Sequence, residues 1–257
     1  MASELFNDGN HIIVKFSDLS DATGSKAAVQ SNQFLIVNNG HGALIDPGGN
    51  MTYNALMMGM SKYFHFRKLT YILASHQDPD IVASINKWLV GTECKVLAPA
   101  IWERFLPHFC SVGNTEDRIM GIPDKGANIK LGNSVIKAIP AHFLHSEGNF
   151  QFYDVTSKIL FSGDLGASIV HHDLAAEPVT NFKAHLSSMI PFHQRYMTSN
   201  KVCRLWANMA RTLDIESIVP QHGRAFVGKP MVNQFITWVE NLECGIDLMS
   251  QDHYRVP

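Results

Sequence analysis

Short apolar runs, many of them alternating with polar residues, predict strands in two stretches of the chain. The first stretch contains residues 11–16, 29–38, 42–46, 69–74 and 95–98, and the second contains residues 118–122, 128–131, 134–140, 150–155, 158–161 and 215–220. Gly, Asn and Asp turn residues separate these runs. Helical periodicity appears at residues 53–65, 79–90, 181–213 and 232–249. The order predicts two sheets with helices outside them, an α/β (α+β) sandwich.

Composition narrows the class of protein. The 257 residues contain no linker or low-complexity tract, so we expect a single domain over residues 1–257. Net charge is -2 and no Lys/Arg run occurs, so the sequence shows no basic segment that would attract nucleic acid or an anionic membrane. No apolar run reaches the ~20 residues that a membrane helix needs. These partners are therefore disfavoured.

Cysteine and histidine usage points towards a metal protein of the cytoplasm. The four cysteines form no C-x-x-C pair, and the first residues show no basic stretch followed by an apolar one, as a secretory signal would. We therefore expect a cytoplasmic protein. The chain has 13 histidines, which prompts a search for metal ligands.

The densest group of candidate ligands lies between the strand at 69–74 and the helix at 79–90. His76, Asp78 and Asp80 occupy alternate positions there. On an extended loop such positions project to the same side, so the three side chains can converge on a metal. An ordinary interpretation is equally compatible with this stretch alone: Asp78 caps a helix that Pro79 opens, and Asp80 complements its dipole.

Further candidates also follow strands. Asp46 and Asp164 each come at a strand end beside glycine, His145 follows the strand at 134–140, and His222 follows the strand at 215–220. Asp46 is also the residue type that forms turns. Because strand ends on one rim collect side chains for chemistry, we expect these residues near each other.

The ordered set of motifs resembles the five-motif signature of the metallo-β-lactamase fold superfamily over nearly the whole chain. The motifs are Asp46-Pro47-Gly48, His76-x-Asp78-x-Asp80, Leu144-His145-Ser146-Glu147-Gly148-Asn149, Ser162-Gly163-Asp164 and Gln221-His222-Gly223. The resemblance implies an αββα four-layer sandwich.

The second motif departs from the usual H-x-H-x-D-H pattern of that superfamily. Asp78 stands where a histidine is usual, and Ile81 replaces the last histidine. A carboxylate at the first of these positions resembles the flavodiiron branch, and it makes the ligand set harder, which favours iron or manganese over zinc. Because Ile81 has no ligand atom, the second metal is expected to have fewer protein ligands.

The resemblance implies a cofactor of two iron ions with a bridging oxo, hydroxo or O2 species. His76, Asp78 and His145 are expected to hold one iron, Asp80 and His222 the other, and Asp164 both. Asp46 is expected to orient ligands. His145 is favoured over His142 as the ligand, and roles near the metals for His142, His171 and His172 are left open.

The phrases at 140–149 and 192–200 resemble flavin-free, oxygen-binding di-iron proteins. No flavodoxin-like segment follows, so no FMN is expected. The resemblance implies an oxygen sensor that binds O2, with a chemotaxis receptor and kinase complex as partner, rather than a turnover enzyme. Tyr196 is a candidate hydrogen-bond donor to the oxygen ligand, or else an ordinary packed tyrosine.

Two alternatives keep the same fold. One is an O2 or NO reductase supplied by an external electron donor, such as a separate flavoprotein or rubredoxin. The other is a binuclear zinc hydrolase. The residues show no interaction motif, and they leave open whether the chain forms a homodimer.

Overall fold

The structure, a computed structural model, describes residues 2–19, 29–111, 113 and 115–257, and their side chains except at positions 172 and 173. Within these residues, strands form two sheets of seven and six strands. No helix in these parts of the chain has the length and apolar character needed to cross a bilayer.

The first sheet follows the chain order. Its strands are β1 (Ala2–Asn7), β2 (His11–Ser17), β3 (Asn32–Asn38), β4 (His41–Ile45), β5 (Leu69–Leu73), β6 (Lys95–Pro99) and β7 (Ile119–Ile122). Strands β1 to β4 pair antiparallel, and β4 to β7 pair parallel. The connections from β4 to β5 and from β5 to β6 contain helices, as parallel crossovers usually do.

The second sheet runs in the order β13-β12-β11-β10-β9-β8. Its strands are β8 (Ala127–Leu131), β9 (Ser134–Pro140), β10 (Phe150–Asp154), β11 (Ile159–Phe161), β12 (Ser217–Val219) and β13 (Phe226–Val227). All neighbours pair antiparallel except β11 and β12, which are parallel. Consequently β9, β11 and β12 all end at the same edge.

Helices cover the outer faces of both sheets. They are α1 (Tyr53–Met60), α2 (Pro79–Val82), α3 (Ile85–Gly91), α4 (His172–Ala175), α5 (Phe182–Tyr196), α6 (Asn200–Ala210) and α7 (Lys229–Glu240). Short 3-10 turns occur at Phe66–Lys68, Ala100–Trp102, Leu106–Phe109, Gly245–Leu248 and Gln251–His253.

Three apolar layers hold these elements together. One lies between the first sheet and α1 to α3, one between the two sheets, and one between the second sheet and α5 to α7. Neighbouring residues of one strand serve different layers: Leu35 faces the helices, whereas Phe34 and Ile36 face the other sheet. Because both faces are buried, these strands are apolar at consecutive positions. The predicted four-layer αββα sandwich is confirmed.

Several predicted boundaries were wrong for identifiable reasons. The helix predicted at 79–90 is two helices, because the Ser84 backbone N–H donates to the Gly48 carbonyl at 3.3 Å instead of to a carbonyl of the first helix; the Ser84 hydroxyl also donates to the carbonyls of Pro47 and Gly48. The helix predicted at 181–213 is interrupted between Tyr196 and Asn200, and the helix predicted at 232–249 runs from Lys229 to Glu240. The expectation of one domain over residues 1–257 stays a prediction.

The two ends of the sandwich carry different groups of buried histidine and aspartate. At the amino-terminal ends of β4 and β11, His11 of β2 and Asp154 of β10 form a buried pair with Nε2 and Oδ2 3.0 Å apart. The opposite edge, where β4, β5, β9, β11 and β12 end, carries the candidate metal ligands.

Candidate metal centre

The candidate ligands follow four strands that end at one edge. His76 and Asp78 follow β5, His145 follows β9, Asp164 follows β11 and His222 follows β12. Two backbone hydrogen bonds join the sheets at this edge, from Phe150 N to Ser75 O and from Asn32 N to Gln221 O. These hydrogen bonds hold the two sheets together beside the site.

One group of side chains offers four ligand atoms within 4.8 Å of one another: those of His76, Asp78, His145 and Asp164. His145 Nε2 lies 2.9 Å from Asp164 Oδ2 and 3.4 Å from Asp78 Oδ2. His76 Nε2 lies 3.6 Å from Asp78 Oδ2 and 3.8 Å from Asp164 Oδ2. Two imidazoles and two carboxylates thus face a common point.

A second group surrounds the other oxygen of the same aspartate. His222 Nε2 lies 3.5 Å from Asp164 Oδ1 and 3.3 Å from Asp80 Oδ2. The Gln221 amide, buried at the same place, donates to Asp80 Oδ2 at 3.4 Å. The structure therefore places all six sequence-predicted ligands in two groups that share Asp164.

The buried polar atoms fit a pair of cations. His76 Nε2 and Asp164 Oδ1 are both buried, and neither has a hydrogen-bond partner among the described residues. Leaving such groups unsatisfied costs free energy, and a metal ion bound between imidazoles and carboxylates removes that cost. The two Asp164 oxygens face different groups, as a bridging carboxylate requires.

Hydrogen bonds on the far side of two imidazoles fix which nitrogen faces the site. The Ser75 hydroxyl donates to Asp46 Oδ2 at 3.0 Å, so it accepts from Nδ1 of His76 at 2.9 Å. His222 Nδ1 lies 2.6 Å from the Gln30 carbonyl oxygen, which can only accept. In both rings Nε2 is therefore the ligand atom, and outer partners of this kind also strengthen ligation.

Asp46 and Gln30 support the site without touching it. Asp46 is buried and also accepts from the Ser75 backbone N–H at 2.8 Å; burial raises its pKa to about 6 despite these hydrogen bonds. The Gln30 side chain accepts from the Gly223 N–H at 2.7 Å. The role of Gln30 was not predicted, because 192 positions separate it from His222 and no local pattern links the two.

The charges of the site reinforce one another. Burial alone would raise the pKa of Asp164, but His222, His76 and His145 hold it well below its ordinary range. Burial would lower the pKa of His145, whereas Asp164 and Asp78 raise it to about 10. The same opposition between burial and carboxylates raises the pKa of His76 and of His222. Metal binding must displace these protons.

The loop at 76–80 serves as both helix start and ligand carrier. Asp78 occupies the N-cap position of α2 and Pro79 opens the helix, but the Asp78 side chain makes no capping hydrogen bond. It faces His76 and His145 instead. Pro79 thus opens the helix as predicted, whereas the side-chain cap considered for Asp78 does not form. Ile81 is fully buried in the apolar layer beneath the first sheet.

Aromatic rings cover one side of the first group. The rings of Phe192 and Tyr196 stack at 4.6 Å, and the Tyr196 ring meets that of His145 edge-on at 5.7 Å. The Tyr196 residue is 55% exposed. It therefore lies between the site and solvent, and its predicted role as a donor stays a prediction.

His142 and His171 are not among the side chains that form the two groups. His142 Nε2 lies 2.8 Å from the carbonyl oxygen of Asp124, and His171 is exposed ahead of α4. The side chain of His172 lies outside the described residues.

His193 had no predicted role, yet it braces the loop that carries Asp164. Its Nδ1 donates to the Met189 carbonyl at 2.8 Å, and its Nε2 accepts from the Gly166 N–H at 2.9 Å. The ring is fully buried. It therefore positions the backbone two residues beyond Asp164.

Comparison with solved structures gives close likenesses. The chain is 38% identical to a structure described as the peroxy diiron species of chemotaxis sensor ODP, over 96% of this chain and 97% of that one, with a TM-score of 0.84. The apo state of chemotaxis sensor ODP from T. denticola is 37% identical over the same shares, with a TM-score of 0.85.

More distant likenesses extend the fold. A flavo di-iron protein variant from Thermotoga maritima is 19% identical over 93% of this chain and 61% of that one, with a TM-score of 0.75, which shows the fold alone. The predicted metallo-β-lactamase-like fold is thereby confirmed. The chain spans about half the length of the curated relatives that it matches: 51% and 41% of two uncharacterized proteins of Methanocaldococcus jannaschii, at 26% and 27% identity.

A family model also covers most of the chain. The model described as ODP family beta lactamase matches residues 29–223, a range that includes all six candidate ligands. This chain therefore belongs to the ODP beta-lactamase family.

Proposed function

We propose that this protein is an oxygen sensor built on a pair of iron ions. The observation that carries the proposal is the position of Asp164, whose two carboxylate oxygens face two different groups of imidazole and carboxylate ligands. The 38% identity to chemotaxis sensor ODP, which is described as a peroxy diiron species, supports iron and O2 as the cofactor and the ligand.

The proposed ligand set assigns His76, Asp78 and His145 to one iron and Asp80 and His222 to the other, with Asp164 shared. Three carboxylates and three imidazoles form a harder set than an all-histidine zinc site, which favours iron. When bound, the iron pair supplies the electrons that O2 accepts.

Residues of the chain orient the imidazole ligands, offset the charge of the metal ions and determine access from solvent. Ser75 and the Gln30 carbonyl hold Nε2 of His76 and His222 towards the site. Three carboxylates offset the charge of two cations. The Asp80 side chain is 43% exposed, so a small ligand can reach the second group from solvent.

The proposal also gives Tyr196, which lies beside the first group of ligands, a role in the site. We assign it a positioning role, in which its hydroxyl donates a hydrogen bond into the site. The stacking of its ring on Phe192 and its edge contact with His145 support this assignment. A phenylalanine in its place keeps the stack and loses the donor.

The cellular setting is part of the proposal. We place the protein in the cytoplasm, with a chemotaxis receptor and kinase complex as its partner. The name of the related sensor supports the chemotaxis role.

Anaerobic reconstitution tests the function. The protein is loaded with ferrous iron and given one equivalent of O2 while optical spectra are recorded. The proposal predicts two irons per chain and a new ligand-to-metal charge-transfer band. Two zinc ions per chain with hydrolytic activity and no iron contradict it, and sustained O2 or NO consumption with an external reductant identifies a reductase instead.

A further inference from the structure

Two cysteines meet in the apolar layer behind the metal centre. Cys203 lies on α6, and Cys244 directly precedes the 3-10 turn Gly245–Leu248. Their Sγ atoms are 3.8 Å apart, and both residues are fully buried. The other two cysteines, Cys94 and Cys110, pack against the layer on the opposite face of the sandwich.

Polar contacts hold the two segments that carry these sulfurs together. Asp247 Oδ2 accepts from the backbone N–H of Cys244 at 3.2 Å and from that of Asn200, at the start of α6, at 2.5 Å. The Asn200 side-chain amide donates to the carbonyls of Glu240 and Leu242. The fold therefore brings the sulfurs together, and a disulfide of about 2.05 Å requires each to move by roughly 1 Å.

The pair differs from ordinary buried thiols in its hydrogen bonding. Burial normally makes a thiol inert, because it disfavours the thiolate. The hydrogen bond between the two sulfurs lowers the pKa of the Cys244 thiol, whereas the same hydrogen bond and burial raise the pKa of the Cys203 thiol. Cys244 is thus suited to be the nucleophile, and Cys203 to be the resolving thiol.

We propose that Cys203 and Cys244 are a redox-active pair that hydrogen peroxide converts into an intramolecular disulfide. The Cys244 thiolate attacks one peroxide oxygen, the O–O bond breaks, and the second oxygen leaves as water after protonation. Cys203 then loses its proton and attacks the Cys244 sulfenic acid; the S–S bond forms, the S–O bond breaks, and the hydroxyl leaves as water. Two thiols and one peroxide give one disulfide and two waters.

The pair lies next to the segment that follows Tyr196. The Ile246 N–H donates to the Thr198 carbonyl at 2.9 Å, and the Thr198 N–H donates to the carbonyl of Phe143 at 3.3 Å. Phe143 lies two residues before His145, in the loop that follows β9. A disulfide here would join α6, which follows Tyr196 in the chain, to the turn Gly245–Leu248. It would thereby restrict the motion of the segment that carries Tyr196 beside the proposed site. The thiol chemistry itself does not depend on the proposed iron pair.

The test uses the full-length, metal-free, reduced protein and stoichiometric hydrogen peroxide. Free thiols are counted by alkylation, and disulfides are located by peptide mass mapping under non-reducing conditions. The proposal predicts that free thiols fall from four to two, that the bond joins Cys203 to Cys244, and that dithiothreitol restores all four. Omitting the metal separates failure of this proposal from failure of the proposed iron site.

Variants sharpen the result. Cys203→Ala and Cys244→Ala are each expected to abolish the intramolecular bond, whereas Cys94→Ala is expected to lose the same two thiols as the wild type. Circular dichroism checks that each variant is folded, and the wild-type map decides the question even if a variant unfolds. Four thiols remaining in the folded protein, a bond that forms only after denaturation by urea, or only intermolecular bonds through Cys110 overturn the proposal.

Discussion

Replacing Asp164 with asparagine removes the one negative charge that both ligand groups share, while nearly preserving side-chain volume. Asp164 Oδ2 lies 2.9 Å from His145 Nε2, and Oδ1 lies 3.5 Å from His222 Nε2. Asparagine keeps one oxygen and has an NH2 group in place of the other, and this NH2 group cannot bind a metal ion. Each metal therefore loses either its shared ligand atom or the charge on it.

The size of the effect follows from charge and ligation. Two unit charges about 4 Å apart interact by about 4 kcal/mol at the effective dielectric of a partly buried site. Loss of a residue that only orients a ligand typically costs about 10 to 100-fold in metal affinity. Loss of a shared anionic ligand should exceed that range. We therefore expect Asp164→Asn to weaken binding of each ion by at least about 100-fold, or about 3 kcal/mol.

Anaerobic calorimetric titration with ferrous iron measures this effect, and Asp154→Asn provides the matched control. Asp154 is another buried aspartate paired with a histidine, Oδ2 to His11 Nε2 at 3.0 Å, but it lies at the opposite edge of the sandwich. The control should bind two irons with wild-type affinity. If Asp164→Asn binds two irons as tightly as the wild type does, the bridging assignment is wrong.

Three further predictions concern supporting residues. Ser75→Ala removes the 2.9 Å contact with Nδ1 of His76. It should lower the affinity for the ion held by His76 by about 10 to 100-fold and leave the affinity for the other ion unchanged, as measured by titration with ferrous iron. An equal loss of affinity for both ions would contradict this prediction. Burial lowers the pKa of His193 from 6.5 to about 4, so the unfolded state takes up a proton first as pH falls. Protonation of this residue should therefore lower the free energy of unfolding by about 3 kcal/mol between pH 6.5 and 4. Urea unfolding across this pH range should show a smaller decrease for His193→Gln than for the wild type. An identical pH dependence of the two proteins would refute the prediction. Trp206→Phe leaves buried Gln151 Oε1 without its 2.7 Å donor and should cost about 1–3 kcal/mol of unfolding free energy, whereas a loss below about 0.5 kcal/mol would show that another donor replaces it.

Residues within one local element were predictable from sequence. Strands such as β3 and β4 contain consecutive apolar residues because both of their faces are buried, and this pattern is legible in the chain. Candidate ligands were recognisable because each follows such a strand. By contrast, β1 escaped prediction, because it is an edge strand with mostly exposed or half-buried residues and therefore a weak apolar signal.

Contacts made only by the folded chain were not predictable. The Gln30 carbonyl meets His222, and His193 meets Gly166, across large separations and between unlike elements. The break at Ser84 likewise depends on carbonyls at Pro47 and Gly48, which the sequence around Ser84 does not reveal. Local sequence determines where each strand ends. The hydrogen-bond partners of a side chain depend instead on which strand ends the packing of the two sheets brings together.

Anomalous diffraction at the iron absorption edge, from crystals loaded anaerobically with ferrous iron, tests the central claim most directly. The account predicts two iron peaks per chain, one among His76, Asp78 and His145 and the other beside Asp80 and His222, with the Asp164 carboxylate between them. A single peak, or two peaks that Asp164 does not join, would contradict it.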